Sequence, residues 1–263
     1  MDGVLWHGDQ ALAGLNDFFQ LLRDKEIPFV LATNNASHTN KQYINKLAGM
    51  GVTVAAKEIL TSGMATAMYL AQHNEPENTR VFVLGEDGAT QPLLEQGFSL
   101  TELYQLNTEA TPGQGADIVV CGKDESINWD KLSTATLNIN AGAEFIATNG
   151  DTTLPTERGL IQGNGAILAA LQAATGCEPK VIGKPEPVMY QQALALLGSS
   201  AENTLAMGDR LNTDILGAVR TGMRSIMVLT GISTREDIAL VDYEPTWVMD
   251  DLSAVTEALR KIR

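Results

Sequence analysis

The feature that most constrains this chain is its alternation of short apolar runs with amphipathic helical segments. Leu12, Leu15, Phe18, Phe19 and Leu22 recur at helical spacing, which predicts a helix over residues 11–26. The run Ile27-Pro28-Phe29-Val30-Leu31-Ala32 follows. It is short, continuous and closed by the polar Thr33-Asn34-Asn35, as expected of a buried strand. Tyr43, Ile44, Leu47 and Met50 restore the helical period, and Gly51 lies where a helix C-cap glycine falls. Residues 63–73 read as a helix and Val81-Phe82-Val83-Leu84 as a buried strand ended by Gly85.

The pattern resumes after residue 179. Val181-Ile182 leads into Gly183-Lys184-Pro185, and residues 187–198 read as a helix. Thr204–Met207 reads as a strand, 213–222 as a helix, Ser225–Leu229 as a strand and Asp250–Ile262 as a final amphipathic helix. Such alternation buries its apolar runs in a parallel sheet covered by helices on both faces. The expected fold class is α/β, a doubly wound, Rossmann-like parallel sheet.

Residues 86–178 depart from this rhythm. They contain a Gly/Thr-rich stretch at 107–115, strand-like runs at Asp117–Cys121 and Phe145–Thr148, and helical patterns near 129–141 and 165–175. The expected organisation is therefore a core domain of residues 1–85 and 179–263, with an α/β domain of residues 86–178 inserted in it.

Composition removes several function classes. The chain of 263 residues carries 32 acidic and 18 basic side chains, a net charge of −14. That balance argues against sequence-independent nucleic-acid binding, which needs a dense Lys/Arg surface, and against an anionic membrane face. No apolar run approaches the ~20 residues of a spanning helix, and no signal-peptide pattern opens the sequence. Cys121 and Cys177 lack a CxxC spacing, and reduced, buried thiols in the cytoplasm are expected, with no redox role. His7, His38 and His73 are scattered, which disfavours paired-histidine zinc sites and His-dependent triads. A GxSxG elbow is missing. Gly183-Lys184 lacks the rest of a P-loop, and neither Gly113-Gln114-Gly115 nor Gly163-Asn164-Gly165 completes a dinucleotide fingerprint.

Four segments remain, each placed at the carboxyl end of a strand, where a doubly wound sheet binds its ligands. They are Asp2-Gly3-Val4-Leu5, Thr33-Asn34-Asn35, Gly183-Lys184-Pro185 and Gly208-Asp209-Arg210-Leu211-Asn212-Thr213-Asp214. Taken singly, the first and third read as turns and the second as a capping loop. The fourth sets two acids five residues apart around a strand-to-helix loop, and simple capping needs only one of them. Together they supply carboxylates, a hydroxyl beside backbone amides, and a lysine. Hard oxygen donors suit Mg²⁺, Thr33 and Asn34 can donate to phosphate oxygens, and Lys184 can neutralise a phosphate or a carboxylate. This is equipment for phosphoryl transfer, which runs on positioning and charge neutralisation.

On these segments the chain resembles the haloacid dehalogenase superfamily of phosphatases, in particular the NagD-like group with a class IIA cap, the 4-nitrophenylphosphatase relatives. Ala147-Thr148-Asn149-Gly150-Asp151 and Pro155-Thr156-Glu157-Arg158-Gly159 match the cap of that group. The resemblance implies an enzyme that hydrolyses small phosphomonoesters with Mg²⁺ through an aspartyl-phosphate. It implies that Asp2 is the general acid/base and lends its carbonyl to the metal. Thr33 and Asn34 would hold phosphate, and Lys184 would orient nucleophile and phosphate. Asp209 would bind the metal, and Asp214 would support the metal or Lys184. Asn149, Asp151 and their neighbours over 152–158 become candidates for leaving-group contacts, with a plain turn as the alternative. A cap-mediated homodimer and a small phosphorylated metabolite as partner are implied as well, with neither nucleic acid nor membrane.

The first motif of that family is Asp-x-Asp, and its nucleophile stands two residues before the acid/base. Asp2 fills the second position and Met1 the middle one. The sequence is therefore expected to be a truncated form of a longer protein, short of its nucleophilic aspartate and of the central strand that carries it. An open slot between strands would strand buried polar groups at about 1–3 kcal/mol each. The alternative is an inactive module that binds Mg²⁺ and phosphate without turnover. A nicotinamide-dependent oxidoreductase would rest on fold analogy alone.

Overall fold

The computed structural model describes residues 1–156 and 158–262, and the chain divides into two compact units. The first comprises Met1–Ala32, Asn40–Leu60 and Lys184–Arg263. The second comprises Thr33–Thr39 and Thr61–Gly183.

In the first unit the helices Leu15–Asp24, Asn40–Gly49, Pro187–Leu197, Leu216–Thr221 and Leu252–Lys261 surround a parallel three-stranded sheet. Its strands run Leu205–Gly208, Arg224–Val228, Trp247–Met249 in that spatial order. The periodic residues of the first helix do what their spacing dictates: Leu15, Phe18, Phe19 and Leu22 are all buried. They pack with Leu5, Trp6, Tyr43, Leu47, Ile226, Val228, Leu252 and Val255 into one apolar core. The helix Leu252–Lys261 starts on Asp251, whose carboxylate accepts the Ala254 amide at 2.8 Å.

The strand Leu31–Thr33 is shorter than the apolar run that announced it, and it is only half buried. It pairs with Ile59–Thr61 in a two-stranded sheet of its own, separate from the sheet of Leu205–Gly208. Residues 1–5 form a turn in which the Met1 carbonyl accepts the Val4 and Leu5 amides at 3.2 and 2.8 Å. A short antiparallel hairpin, Trp6–His7 with Gln10–Ala11, follows.

The second unit has its own parallel sheet, in the order Lys180–Val181, Glu144–Ala147, Ile118–Cys121, Arg80–Leu84, Ser99–Leu100. The helices Ser62–His73, Asp87–Glu95, Trp129–Asn140 and Asn164–Thr175 belong to it. Phe82, Leu84, Val119, Cys121, Ile139, Phe145, Leu168 and Leu171 form its core. An antiparallel hairpin joins Thr153–Thr156 to Gly159–Gln162.

Two expectations about organisation shift here. The strand Arg80–Leu84, expected in the core domain, pairs along its length with Ile118–Cys121. Lys180–Val181 likewise pairs with Ile146 and Ala147. The second unit thus claims sequence on both sides of the expected 86–178 insertion. Cys121 is buried as expected, but Cys177 is exposed, in the segment after the helix Asn164–Thr175.

Candidate active site

The loop after the strand Leu205–Gly208 is built around Asp214. Its Oδ2 accepts the amides of Asp209 and Arg210 at 3.3 and 3.2 Å, and its Oδ1 accepts Lys184 Nζ at 2.7 Å. The carboxylate folds back so tightly that the expected helix 213–222 opens as a wide turn over Leu211–Ile215 before the helix Leu216–Thr221. Lys184 and Asp214 are each 7% exposed, so this ion pair is almost fully desolvated. Burial pushes the Asp214 carboxyl up, but the Lys184 ammonium, the N-terminal ammonium and the hydrogen bonds from Lys184 and the Arg210 amide together hold it below its ordinary range. Lys184 Nζ also donates to the Ala32 carbonyl at 3.3 Å. Tyr190, also buried, donates its hydroxyl to the Asp214 carbonyl at 3.0 Å.

Asp209 is 4% exposed. Its Oδ2 accepts the Ile232 amide at 3.0 Å, and its carbonyl accepts the Ser233 amide at 3.0 Å. Gly231 lies under this carboxylate: a Cβ there would come within 2.0 Å of Asp209 Oδ2, so only glycine fits. The main chain of Gly3 flanks the same carboxylate, and the Gly3 carbonyl accepts the Thr230 hydroxyl at 2.6 Å. The segment 230–233 therefore ties the Asp2–Gly3 turn to Asp209, a role that sequence reading missed. Burial and the neighbouring Asp214 charge raise the Asp209 carboxyl above its ordinary range.

The side chain of Asp2 goes elsewhere. It is 71% exposed and lies 3.8 Å from His7 Nδ1. Among the described residues no three His, Cys, Asp or Glu side chains gather as a metal cluster. The structure thus brings Lys184, Asp209 and Asp214 together, with the main chain of the Asp2–Gly3 turn beside Asp209. It does not add the Asp2 carboxylate to them. Both oxygens of Asp214 are committed to Lys184 and to backbone amides. A hard divalent cation fits Asp209 in kind: a buried carboxylate, destabilised by a second one, gains from a nearby positive charge. Mg²⁺ normally keeps several waters and needs few protein carboxylates.

The second unit carries the other expected residues. Thr33 Oγ1 accepts the Asn35 amide at 3.2 Å, and the Asn34 carbonyl accepts Ser62 Oγ at 2.6 Å and Asn149 Nδ2 at 2.9 Å. Asp151 Oδ2 accepts Asn34 Nδ2 at 3.4 Å, and the Asp151 amide donates to Asn149 Oδ1 at 3.2 Å. Thr33, Asn34, Asn149 and Asp151 are thus drawn together. Of the cap motif at 155–159, Glu157 lies outside the described residues.

Comparison with known proteins agrees with this geometry. A family model described as haloacid dehalogenase-like hydrolase matches residues 1–99, and a HAD-hydrolase-like model matches residues 181–255. The 5'-nucleotidase YutF of Bacillus subtilis is 36% identical over 253 residues, 96% of this chain and 94% of its own length. The acid sugar phosphatase of Staphylococcus saprophyticus is 35% identical over 261 residues, 99% and 96% of the two chains. The solved structure of NagD from Escherichia coli K-12 superposes with a TM-score of 0.85 at 34% identity, over 96% of this chain and 94% of that one. The chain belongs to the haloacid dehalogenase-like hydrolases. Within them it is a phosphatase of the NagD-like kind, with the α/β fold of that group.

Proposed function

We propose that this phosphatase hydrolyses small phosphomonoesters with Mg²⁺ through an aspartyl-phosphate, in the NagD-like manner. The observation that carries the reading is the buried Lys184–Asp214–Asp209 arrangement, with its 2.7 Å ion pair. A protein buries charges only at considerable cost, and here they are aimed at one another and at backbone amides. Such investment fits a site that must balance a dianionic phosphate.

Lys184, oriented by Asp214, neutralises phosphate and nucleophile. Thr33 and Asn34 donate hydrogen bonds to the phosphate oxygens. Asp209 and the main-chain oxygen of Asp2 are the groups that would hold Mg²⁺, which screens charge between two anions that would otherwise repel. Asp214 serves Lys184 rather than the metal. Asp2 passes a proton to the leaving alkoxide oxygen as the phosphorus–oxygen bond breaks, then takes one from the attacking water. To do so its exposed carboxylate turns from His7 toward the substrate.

Asp151 is the candidate contact for the leaving group; nucleotides, sugar phosphates and aryl phosphates all satisfy the chemistry. The same reading places the enzyme in the cytoplasm, as a cap-mediated homodimer. The test is 4-nitrophenyl phosphate hydrolysis with and without Mg²⁺. Mg²⁺-dependent turnover is expected, and its loss on Lys184→Met. Binding of phosphate without turnover would establish the inactive module instead.

A further inference from the structure

A chain of buried amides runs from the sheet of the second unit to the loop Thr33–Asn35. Cys121, at the end of the strand Ile118–Cys121, donates its thiol to Asn164 Oδ1 at 3.2 Å. Asn164, the first residue of its helix and 3% exposed, donates from Nδ2 to the carbonyls of Cys121 at 3.1 Å and Asn149 at 2.7 Å. Asn149, 5% exposed, donates in turn to the Asn34 carbonyl at 2.9 Å and to Thr148 Oγ1 at 3.4 Å. Its Oδ1 accepts the Asp151 amide at 3.2 Å. Both donor hydrogens of Asn149 are therefore spent inside the protein, which removes it from the candidates for leaving-group donors.

The Asn34 carbonyl is held from two sides, by Asn149 and by the fully buried Ser62. A trans peptide is planar, with its C=O and N–H on opposite sides. Fixing the Asn34 carbonyl therefore fixes the Asn35 N–H, and that N–H donates to Thr33 Oγ1. Once its oxygen accepts from Asn35, the Thr33 hydroxyl directs its own proton elsewhere. Gly183 backs the same residue: a Cβ there would come within 2.8 Å of Asn34 Oδ1.

We propose that Asn149 and Asn164 are positioning residues. Through the Asn34–Asn35 peptide plane they set the direction in which Thr33 donates to phosphate. This rests on the reading of Thr33–Asn34 as the phosphate loop. Donors aimed in advance bind and stabilise an oxyanion without reorganising, so a loop that must find its geometry binds more weakly. Asn149→Asp keeps the shape but turns the donor facing the Asn34 carbonyl into an acceptor. Asn164→Asp does the same one step back.

The test measures inorganic phosphate affinity by calorimetry in the presence of Mg²⁺, KM and kcat for 4-nitrophenyl phosphate, and the melting temperature. Asn149→Asp is expected to weaken phosphate about tenfold or more and to raise KM in parallel, with Asn164→Asp acting in the same direction. Asn138→Ala is the comparator. That asparagine is equally buried in the same unit, but its bonds run to Ala116, Thr134 and Gln105. It should lower the melting temperature while leaving phosphate affinity within about twofold. Should Asn149→Asp fail to fold, Ser62→Ala removes the second donor to the same carbonyl and must weaken phosphate by about threefold. Wild-type affinity in the folded donor variants, or an equal loss in Asn138→Ala, overturns the proposal. Unchanged affinity in Thr33→Ala overturns the phosphate-loop reading itself and the proposal with it.

Discussion

Lys184 and Asp214 show what a single side chain contributes here. Removing one partner of a buried ion pair leaves the other uncompensated, at a typical cost of about 3–5 kcal/mol, whereas replacing both with apolar groups is often neutral. Asp214→Asn should therefore destabilise the protein by that order in urea unfolding. The double variant Lys184→Met/Asp214→Leu should recover most of it while activity stays lost. A double variant no more stable than the single would mean that Asp214 acts through the backbone amides of Asp209 and Arg210, not through Lys184. Gly183→Ala is a second case. Its Cβ would fall within 2.5 Å of the Thr148 carbonyl, a backbone atom that cannot give way cheaply, and 2.8 Å of Asn34 Oδ1. Phosphate affinity should drop along with melting temperature. The sequence made Lys184, Asp209 and Asp214 legible because two acids five apart at a strand end are more than a cap requires. It gave no sign that Asn149 and Asn164 spend their amides on main-chain carbonyls. An asparagine's partner lies across the fold, and nothing in its neighbours along the chain encodes it.

Elements were legible wherever burial imposes a period. The helix Leu15–Asp24 and the strand Ile118–Cys121 fall within the stretches whose spacing announced them, and the strands Arg80–Leu84 and Arg224–Val228 each begin one residue before theirs. The hairpin Thr153–Thr156 with Gly159–Gln162 escaped notice because all four residues of its second strand are exposed, so no apolar alternation marks it. The loop that leads into the helix Trp129–Asn140 supplies a prediction at this scale. The side chain of Asp124 is 1% exposed and accepts Lys131 Nζ at 2.6 Å and Ser126 Oγ at 2.6 Å. Burial alone would push its carboxyl up, but Lys131 and Ser126 hold it below the ordinary carboxylate range. A carboxyl lowered on folding stabilises the protein above its unfolded pKa, and that stability drains away as pH falls through the folded value. Melting temperatures measured from neutral pH down through 3 should fall on acidification. In Asp124→Asn the profile should start lower and slope less through that window. An identical slope would show that the Asp124–Lys131 pair adds no acid sensitivity.

At the scale of the whole molecule, strand periodicity showed that parallel sheets would form but not which sheet each strand joins. Val81-Phe82-Val83-Leu84 reads the same in either, and pairing with Ile118–Cys121 settles it. Net charge is the molecular property sequence reading gives outright, and it bears on function. A protein of charge −14 repels a phosphate dianion at long range. Lys184 offsets little of this at a distance, because it is buried and already paired with Asp214. Raising ionic strength from about 10 to about 150 mM shortens the screening length from ~30 to ~8 Å. That removes the far field while leaving contacts inside the site largely intact. With Mg²⁺ held saturating, kcat/KM for 4-nitrophenyl phosphate should therefore rise severalfold over this range, through KM, with kcat nearly constant. A fall with salt would mean that the local field of Lys184 and the bound cation reaches past the acidic surface and steers substrate inward.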